Sequence, residues 1–398
     1  MSFNIGGGQE ADDIRILQDS QSVQLLHKEL AGLLLAWFDR SGRQLPWRQN
    51  KDPYRIWISE IMLQQTQVQT VIPYFERFMT AFPTVSALAG AAEETVLKLW
   101  EGLGYYARAR HLLAAARIVV SRHNGDLPDD EKVLRTLPGI GAYTAGAILS
   151  IARQQRIPAV DGNVVRVFAR LTGTAWQTGD PADRSRVNTL VLTLLPDDRP
   201  GDFNEAVMDL GATICLPQEP LCPACPLAGL CVAWREGIVH ELPAKKVKKD
   251  VPVERRTVLI LHARDRWHVV RRPDSGLLAG LYTFDWLESG PDQASRLILH
   301  LADCPGVVWT RLPSHTHRFT HLVWQMDALK IELEQPDLSL LAGFLVSTAE
   351  GQAPDGRWVT DRELAELPFP TAVTVYRARM LPDPDNQITL EPRDPVHP

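Results

Sequence analysis

The sequence predicts a multidomain chain, an all-α domain followed by an α+β domain. Three observations predict it. Apolar residues recur at helical spacing up to about residue 235, four of the five cysteines then fall within Cys215–Cys231, and beyond a lysine- and proline-containing stretch the pattern turns to strands. At 398 residues the chain has room for two domains of roughly 150 residues each, with tails.

Taken in order, residues 1–22 are polar and glycine-containing and are expected to form a disordered tail. Val23–Phe38 is an amphipathic helix with Leu25, Leu26, Leu30, Leu33, Leu34 and Trp37 on one face. Arg43–Arg48 is a loop that joins Trp47 to arginines. Helices follow at Ile56–Gln65 and Val68–Met79. Glu60 stands among Trp57, Ile58, Ile61 and Met62, near the start of the first of these helices as read. It is either solvated and favoured by the helix dipole, or a partly buried carboxyl with a raised pKa, which suits a general acid. Gln64-Gln65-Thr66-Gln67 could hydrogen-bond base edges. Gly102–Arg108, with Arg110, suits a loop at a DNA groove, where a planar ring can wedge into the stack. A glycine turn carrying core tyrosines is the even alternative.

Two signals share the stretch Leu137–Val167. Leu137-Pro138-Gly139-Ile140-Gly141 turns the chain between a helix closing at Lys132–Thr136 and another running from about Ala142 to Gln154. Free amides at that second helix start, around Gly139 and Gly141, make a site for a DNA phosphate. A Gly-x-Gly alone is more often an ordinary turn. Ile157–Val160 is apolar and expected to be buried, Asp161-Gly162-Asn163 breaks it, and Val164–Leu171 resumes as a helix. In isolation Asp161 and Asn163 read as turn and N-cap residues. Helices at Ser185–Leu195 and Phe203–Thr213 follow, the second carrying Glu205 and Asp209 as polar positions.

Composition excludes several classes. Apolar content of 45% and charge of 23% are ordinary for a globular protein, and no apolar run approaches the roughly 20 residues that span a bilayer. The start lacks the basic–apolar pattern of a signal peptide, so a cytoplasmic location is expected. A net charge of −6 argues against a purely electrostatic nucleic-acid binder. The spacing Cys215-x6-Cys222-x2-Cys225-x5-Cys231 suits four thiolates on a 4Fe–4S cluster. Structural zinc usually takes two Cys-x-x-Cys knuckles, and only one is present. Cys304 reads as a buried thiol. Residues 236–254 read as a lysine-containing linker. Strands at Thr257–His262 and Trp267–Arg271, another within Leu322–Leu333, and a short helix at Arg362–Glu366 make a second domain ending near Met380, with a loose tail beyond.

Five ordered motifs together resemble the MutY-type adenine DNA glycosylases: SEIMLQQTQV at Ser59–Val68, GLGYYARAR at Gly102–Arg110, LPGIGAYTAGAIL at Leu137–Leu149, VDGNVVRV at Val160–Val167, and the four cysteines. The resemblance implies a helix-hairpin-helix glycosylase domain over 23–235 with a 4Fe–4S loop at 215–231. It also implies a MutT/Nudix-like domain over 255–380, between the linker 236–254 and a tail 381–398. The implied substrate is duplex DNA holding adenine opposite 8-oxoguanine or guanine, bound by a monomer with no membrane partner.

The chemistry implied needs one acid to protonate the flipped base and one carboxylate to stabilise the sugar cation. By the resemblance Glu60 is the acid and Asp161 the carboxylate, with Tyr143 and Asn163 orienting them. Trp47, Arg48 and Glu205 line the adenine pocket. Gln65 and Tyr105 wedge beside 8-oxoguanine, with Thr66 and Leu103 as neighbours. Phe319-Thr320-His321 resembles the family's second reader loop, with threonine replacing serine. The nearest rival, a bifunctional endonuclease III-type enzyme, needs a lysine where this chain has Tyr143. Nucleotide hydrolysis would need an acidic metal box that is not seen between Arg271 and Glu288. A non-catalytic lesion sensor would not need both Glu60 and Asp161.

Overall fold

A computed structural model of the chain describes residues 21–244, 250–287, 291–341, 343–345 and 356–381. The expected N-terminal tail to residue 20, the lysines of 245–249 and the tail beyond 381 lie outside the described residues. Helices come first: Gln21–Ser41 (α1), Pro53–Leu63 (α2), Val68–Ala81 (α3), Val85–Ala89 (α4), Glu93–Leu99 (α5) and Ala107–His123 (α6). Glu131–Leu134 (α7), Ala142–Arg153 (α8), Gly162–Thr172 (α9), Pro181–Leu194 (α10), Pro200–Thr213 (α11) and Val232–Glu236 (α12) complete this part. Strands Val253–Ala263 (β1), Arg266–Arg271 (β2), Tyr282–Thr283 (β3) and Asp285–Leu287 (β4) precede helix Pro291–Ala302 (α13). Val308–Arg318 (β5), Val323–Leu333 (β6), Gly356–Val359 (β7), Asp361–Glu366 (α14) and Thr371–Met380 (α15) follow. None of the described helices is long and apolar enough to cross a membrane.

Contacts divide the chain into two units, Met1–Gly90 with His111–Lys248, and Ala91–Arg110 with Lys249–Pro398. The first unit is helical. One core surrounds α9, where Val164, Val165, Phe168 and Leu171 pack with Leu34, Trp176, Val191, Phe203 and Leu210. Helix α8 lies close against the buried Pro158–Val160 stretch because Gly146 has no side chain. A Cβ there would stand 2.1 Å from the Pro158 carbonyl oxygen. The hairpin between α7 and α8 turns on Gly139, whose φ of +78° is a conformation that glycine adopts without steric cost.

Two expectations shift in this unit. Helix α2 begins three residues earlier than the periodicity indicates, because Asp52 caps the Tyr54 amide and Pro53 takes the first helical position. Glu60 therefore sits in the last turn of α2, at the negative end of the helix dipole. The part of the expected linker at 237–244 is packed. Val239 and Leu242 are buried, and their carbonyls accept from the Arg170 Nε at 3.0 and 2.9 Å.

The second unit is a mixed sheet in the order β3-β2-β1-β6-β5, with β4 also on β1 and β7 on β2. Strands β1 and β6 run parallel from Val253↔Val323 to Ala263↔Leu333. The expected pairing of the first two strands is antiparallel through His262↔Trp267. Side chains alternate along β1, so Val258 and Ile260 join one core with Phe369, Val373 and Tyr376, while Leu259 and Leu261 join another with Leu297 and Leu301. Strand β1 is thus buried on both faces. Cys304 is half-buried, not buried as expected; its Sγ donates to the His300 carbonyl at 3.1 Å.

Candidate active site

Trp47, Arg48, Glu60, Gln65, Thr66, Tyr143, Asp161, Asn163 and Glu205 line one cavity of about 1160 Å³ in the first unit. Several elements bring them together. Trp47 and Arg48 ride a short 3-10 turn, and Trp47 is buried edge-on against Phe75 with ring centroids 5.3 Å apart. Glu60 is presented by α2 and is 6% exposed, and its Oε2 lies buried without a hydrogen-bond partner. Burial pushes its carboxyl up to about 7, Asp161 and Glu205 push the same way, and a hydrogen bond with Tyr143 and the Arg48 charge oppose them. The Tyr143 hydroxyl also lies 3.7 Å from Met208 Sδ. Burial, then the charges of Glu60 and Asp161, hold the Tyr143 phenol neutral, with its pKa well above its ordinary range.

Asp161 caps α9 and points into the same cavity. Its Oδ1 accepts from the Val164 amide and its Oδ2 from Asn163 Nδ2, both at 2.8 Å. Capping and exposure to the cavity therefore coexist. Asn163 is itself held, because Arg166 Nη2 donates to its Oδ1 at 2.9 Å. Arg166 also donates to the carbonyls of Gly211 at 2.7 Å and Cys215 at 2.9 Å. Asn163, which donates to the Asp161 carboxylate, and the Cys215 carbonyl thus share one arginine.

Behind the cavity-lining Arg43, Arg48 and Glu205 stands Asp209, a polar position to which the sequence assigns no role. Asp209, fully buried, accepts five hydrogen bonds: from the Arg43 amide, Nε and Nη2, and from Arg48 Nη1 and Nη2. Arg48 Nε also contacts Glu205 Oε1 at 2.6 Å. Burial pushes Asp209 up, but the two arginines outweigh it and hold the carboxyl below its ordinary range; for Glu205, burial outweighs Arg48 and the shift is upward. The available signal was the i,i+4 spacing of Glu205 and Asp209, which puts both on one face of α11.

The remaining expected site residues lie outside that cavity. Gly139 and Gly141 form the hairpin turn before α8, and a Cβ on Gly139 would meet His111 Cβ at 3.0 Å. In the second unit, Leu103 is buried and Tyr105 exposed. Gln65 and Tyr105 both have left-handed backbones, with φ of +58° and +48°, a strained state for side-chain-bearing residues that is frequent at functional sites. Arg108 and Arg110 lie on α6, not in a loop as expected, because helix begins at Ala107. Phe319, Thr320 and His321 form the tip of the β5–β6 hairpin, closed by the Phe319 amide on the Leu322 carbonyl at 2.8 Å. Phe319 stands edge-on to Trp324 at 4.8 Å.

Cys215, Cys222, Cys225 and Cys231 line a second, apolar cavity with free thiols. They are not drawn into a ligating cluster: among the described residues no group of three or more His, Cys, Asp or Glu could hold a metal ion. The donor set nonetheless suits a thiophilic, anionic group. Arg170, 2% exposed, laces the loop through the carbonyls of Leu216 and Pro217 and donates to Cys215 Sγ at 3.4 Å.

The helical unit with its hairpin is the fold of a base-excision DNA repair protein. A profile of the HhH-GPD superfamily base excision DNA repair proteins matches residues 58–189, and a NUDIX domain profile matches 256–378. The chain is 35% identical to an adenine DNA glycosylase of Rattus norvegicus over 85% of this chain and 75% of that protein. It is 34% identical to one of Homo sapiens over 90% and 76%. The solved structure of a thermostable thymine-DNA glycosylase aligns over 54% of this chain and all of its own, with 28% identity and a TM-score of 0.50. The chain belongs to the adenine DNA glycosylase family of base-excision repair enzymes.

Proposed function

We propose that this glycosylase removes adenine mispaired with 8-oxoguanine or guanine in duplex DNA, using Glu60 and Asp161 on one flipped nucleotide. The observation that carries the reading is the buried Glu60 carboxyl, raised to about 7 in a cavity shared with Asp161. A carboxyl at that value is half protonated at neutral pH and can give its proton to the departing base. Asp161, whose Oδ1 accepts from the Val164 amide, lies beside the sugar and stabilises the positive charge that develops there. Tyr143 gives Glu60 a hydrogen-bonding neighbour, and Asn163 orients Asp161. The Arg48–Glu205 pair can offer a donor and an acceptor to the adenine edge. Trp47 walls the pocket.

Gln65, at the cavity wall, and Tyr105 serve as wedges beside 8-oxoguanine, with Thr66 and Leu103 supporting them. The Phe319-Thr320-His321 hairpin tip is the second reader. Amides around Gly139 and Gly141 take a phosphate. The four cysteines would hold a 4Fe–4S cluster, which orders the 215–231 loop; Arg170 offsets its charge. Free thiols suit a reducing cytoplasm, with the nucleoid as the place of work and a monomer as the working form.

Single-turnover cleavage of a labelled duplex carrying adenine opposite 8-oxoguanine, read with and without hot alkali, tests the reaction type. Product only after alkali is expected, since Tyr143 offers no amine for a Schiff base. Product without alkali would overturn the reading in favour of lyase chemistry.

A further inference from the structure

We propose that Arg377 is a positioning residue for the Tyr105 wedge, acting through Glu101 and the loop that follows it. The inference rests on the wedge reading of Tyr105 given above. Within the second unit, the loop from Trp100 to Tyr106 is wound tightly. Gly102, Gly104 and Tyr105 all have positive φ, at +102°, +70° and +48°. Three consecutive devices hold it inside. Trp100 Nε1 donates to the Gly104 carbonyl at 3.2 Å, and Arg108 Nη2 donates to the carbonyls of Leu103 and Gly104 at 3.2 and 3.0 Å. The Arg108 guanidinium also lies 5.5 Å from the Tyr105 ring centroid.

Those devices set the shape of the loop but not its position. Position comes from α14, α15 and the chain between them. Lys98 Nζ donates to the carbonyls of Ala365 at 2.6 Å and Leu367 at 3.2 Å, and to Glu101 Oε2 at 2.8 Å. Arg377 forks onto both Glu101 oxygens, donates to the Leu367 carbonyl at 2.9 Å, and lies over the Phe369 ring at 5.1 Å. The Tyr106 hydroxyl accepts from the Gly102 amide at 3.4 Å and donates to the Phe369 carbonyl at 3.1 Å. The Arg377 and Glu101 side chains are only 14% and 13% exposed, so this fork is shielded from water and is geometrically restrictive. A left-handed Tyr105 costs energy, and such a residue persists only where its surroundings over-determine it. Trp100 and Arg108 hold that shape, and Arg377, through Glu101, and Tyr106 anchor the two ends of the loop to the 367–369 segment.

A double-mutant cycle in the full-length protein tests this. Arg377→Met, Tyr105→Ala and the pair are compared in single-turnover excision. A second readout is the fluorescence rise of 2-aminopurine placed beside the lesion, which reports unstacking. Arg377→Met is expected to slow both by about tenfold in the wild-type background and by less than about twofold when Tyr105 is already alanine, with Arg377→Lys partly restoring the rate. Losses that multiply in the pair would overturn the proposal while leaving the wedge reading intact. A Tyr105→Ala variant as fast as wild type would overturn the wedge reading and this proposal with it. Should Arg377→Met fail to fold, Tyr106→Phe removes the other clamp and enters the same cycle with the same two outcomes.

Discussion

Replacing Glu60 with glutamine removes an ionisation while keeping shape, and the consequence for stability can be worked out with its sign. In the folded chain the Glu60 carboxyl stands at about 7 against an ordinary value of 4.5. The folded state therefore prefers the protonated form. The stability this brings is fully present below the unfolded value and is lost as pH rises through the folded one. At about 1.4 kcal/mol per pH unit, the gap makes wild type lose about 3 kcal/mol between pH 4.5 and a little above 7. Glu60→Gln has no such loss. Urea unfolding of both proteins, followed by tryptophan fluorescence from pH 4.5 to 8.5, gives the difference directly. The variant should gain on wild type by about 3 kcal/mol across that window and no further above it. A difference that stays level with pH, or that moves towards wild type, would refute the assignment of a raised carboxyl to Glu60.

Other predictions follow from the same geometry. Asp209→Ala leaves the Arg43 and Arg48 guanidiniums without their shared buried acceptor, and should destabilise the protein by about 3–5 kcal/mol in the same unfolding assay. Gly146→Ala sets a methyl against the Pro158 carbonyl and should cost about 1–3 kcal/mol or more, read as a lowered thermal midpoint. Arg166→Met strips donors from Asn163 and from the carbonyls of Gly211 and Cys215; single-turnover excision should fall about tenfold or more, since charged hydrogen bonds of this kind are each worth about 1.5–3 kcal/mol. Wild-type excision should slow about tenfold per pH unit above 7, as the acid form of Glu60 is depleted.

The helical unit was legible because its signals are local. Periodicity marks α3, and glycine chemistry marks the hairpin before α8. The start of α2 was missed because its cap, Asp52, precedes the apolar pattern, and with it the place of Glu60 on the helix dipole. Strands β1 and β2 were readable from β-branched runs, whereas β5, rich in His, Arg and Thr, carries no apolar alternation. Its strand character comes from pairing with β6. The arginine network around Asp209 joins residues 166 positions apart, and the Arg377–Glu101 fork joins residues 276 apart. Such contacts exist only once the chain is folded, so the family resemblance of the motifs pointed to Glu60 and Asp161 but not to what holds their surroundings in place.

The most direct measurement is release of free adenine from a duplex with adenine opposite 8-oxoguanine, in single turnover, by wild type, Glu60→Gln and Asp161→Asn. The account predicts that each variant loses about 10²-fold or more in rate, as is usual on removing a general acid or a charge-stabilising group, while still binding the duplex. Either variant working within a few-fold of wild type would contradict the assignment of that carboxyl to the chemistry.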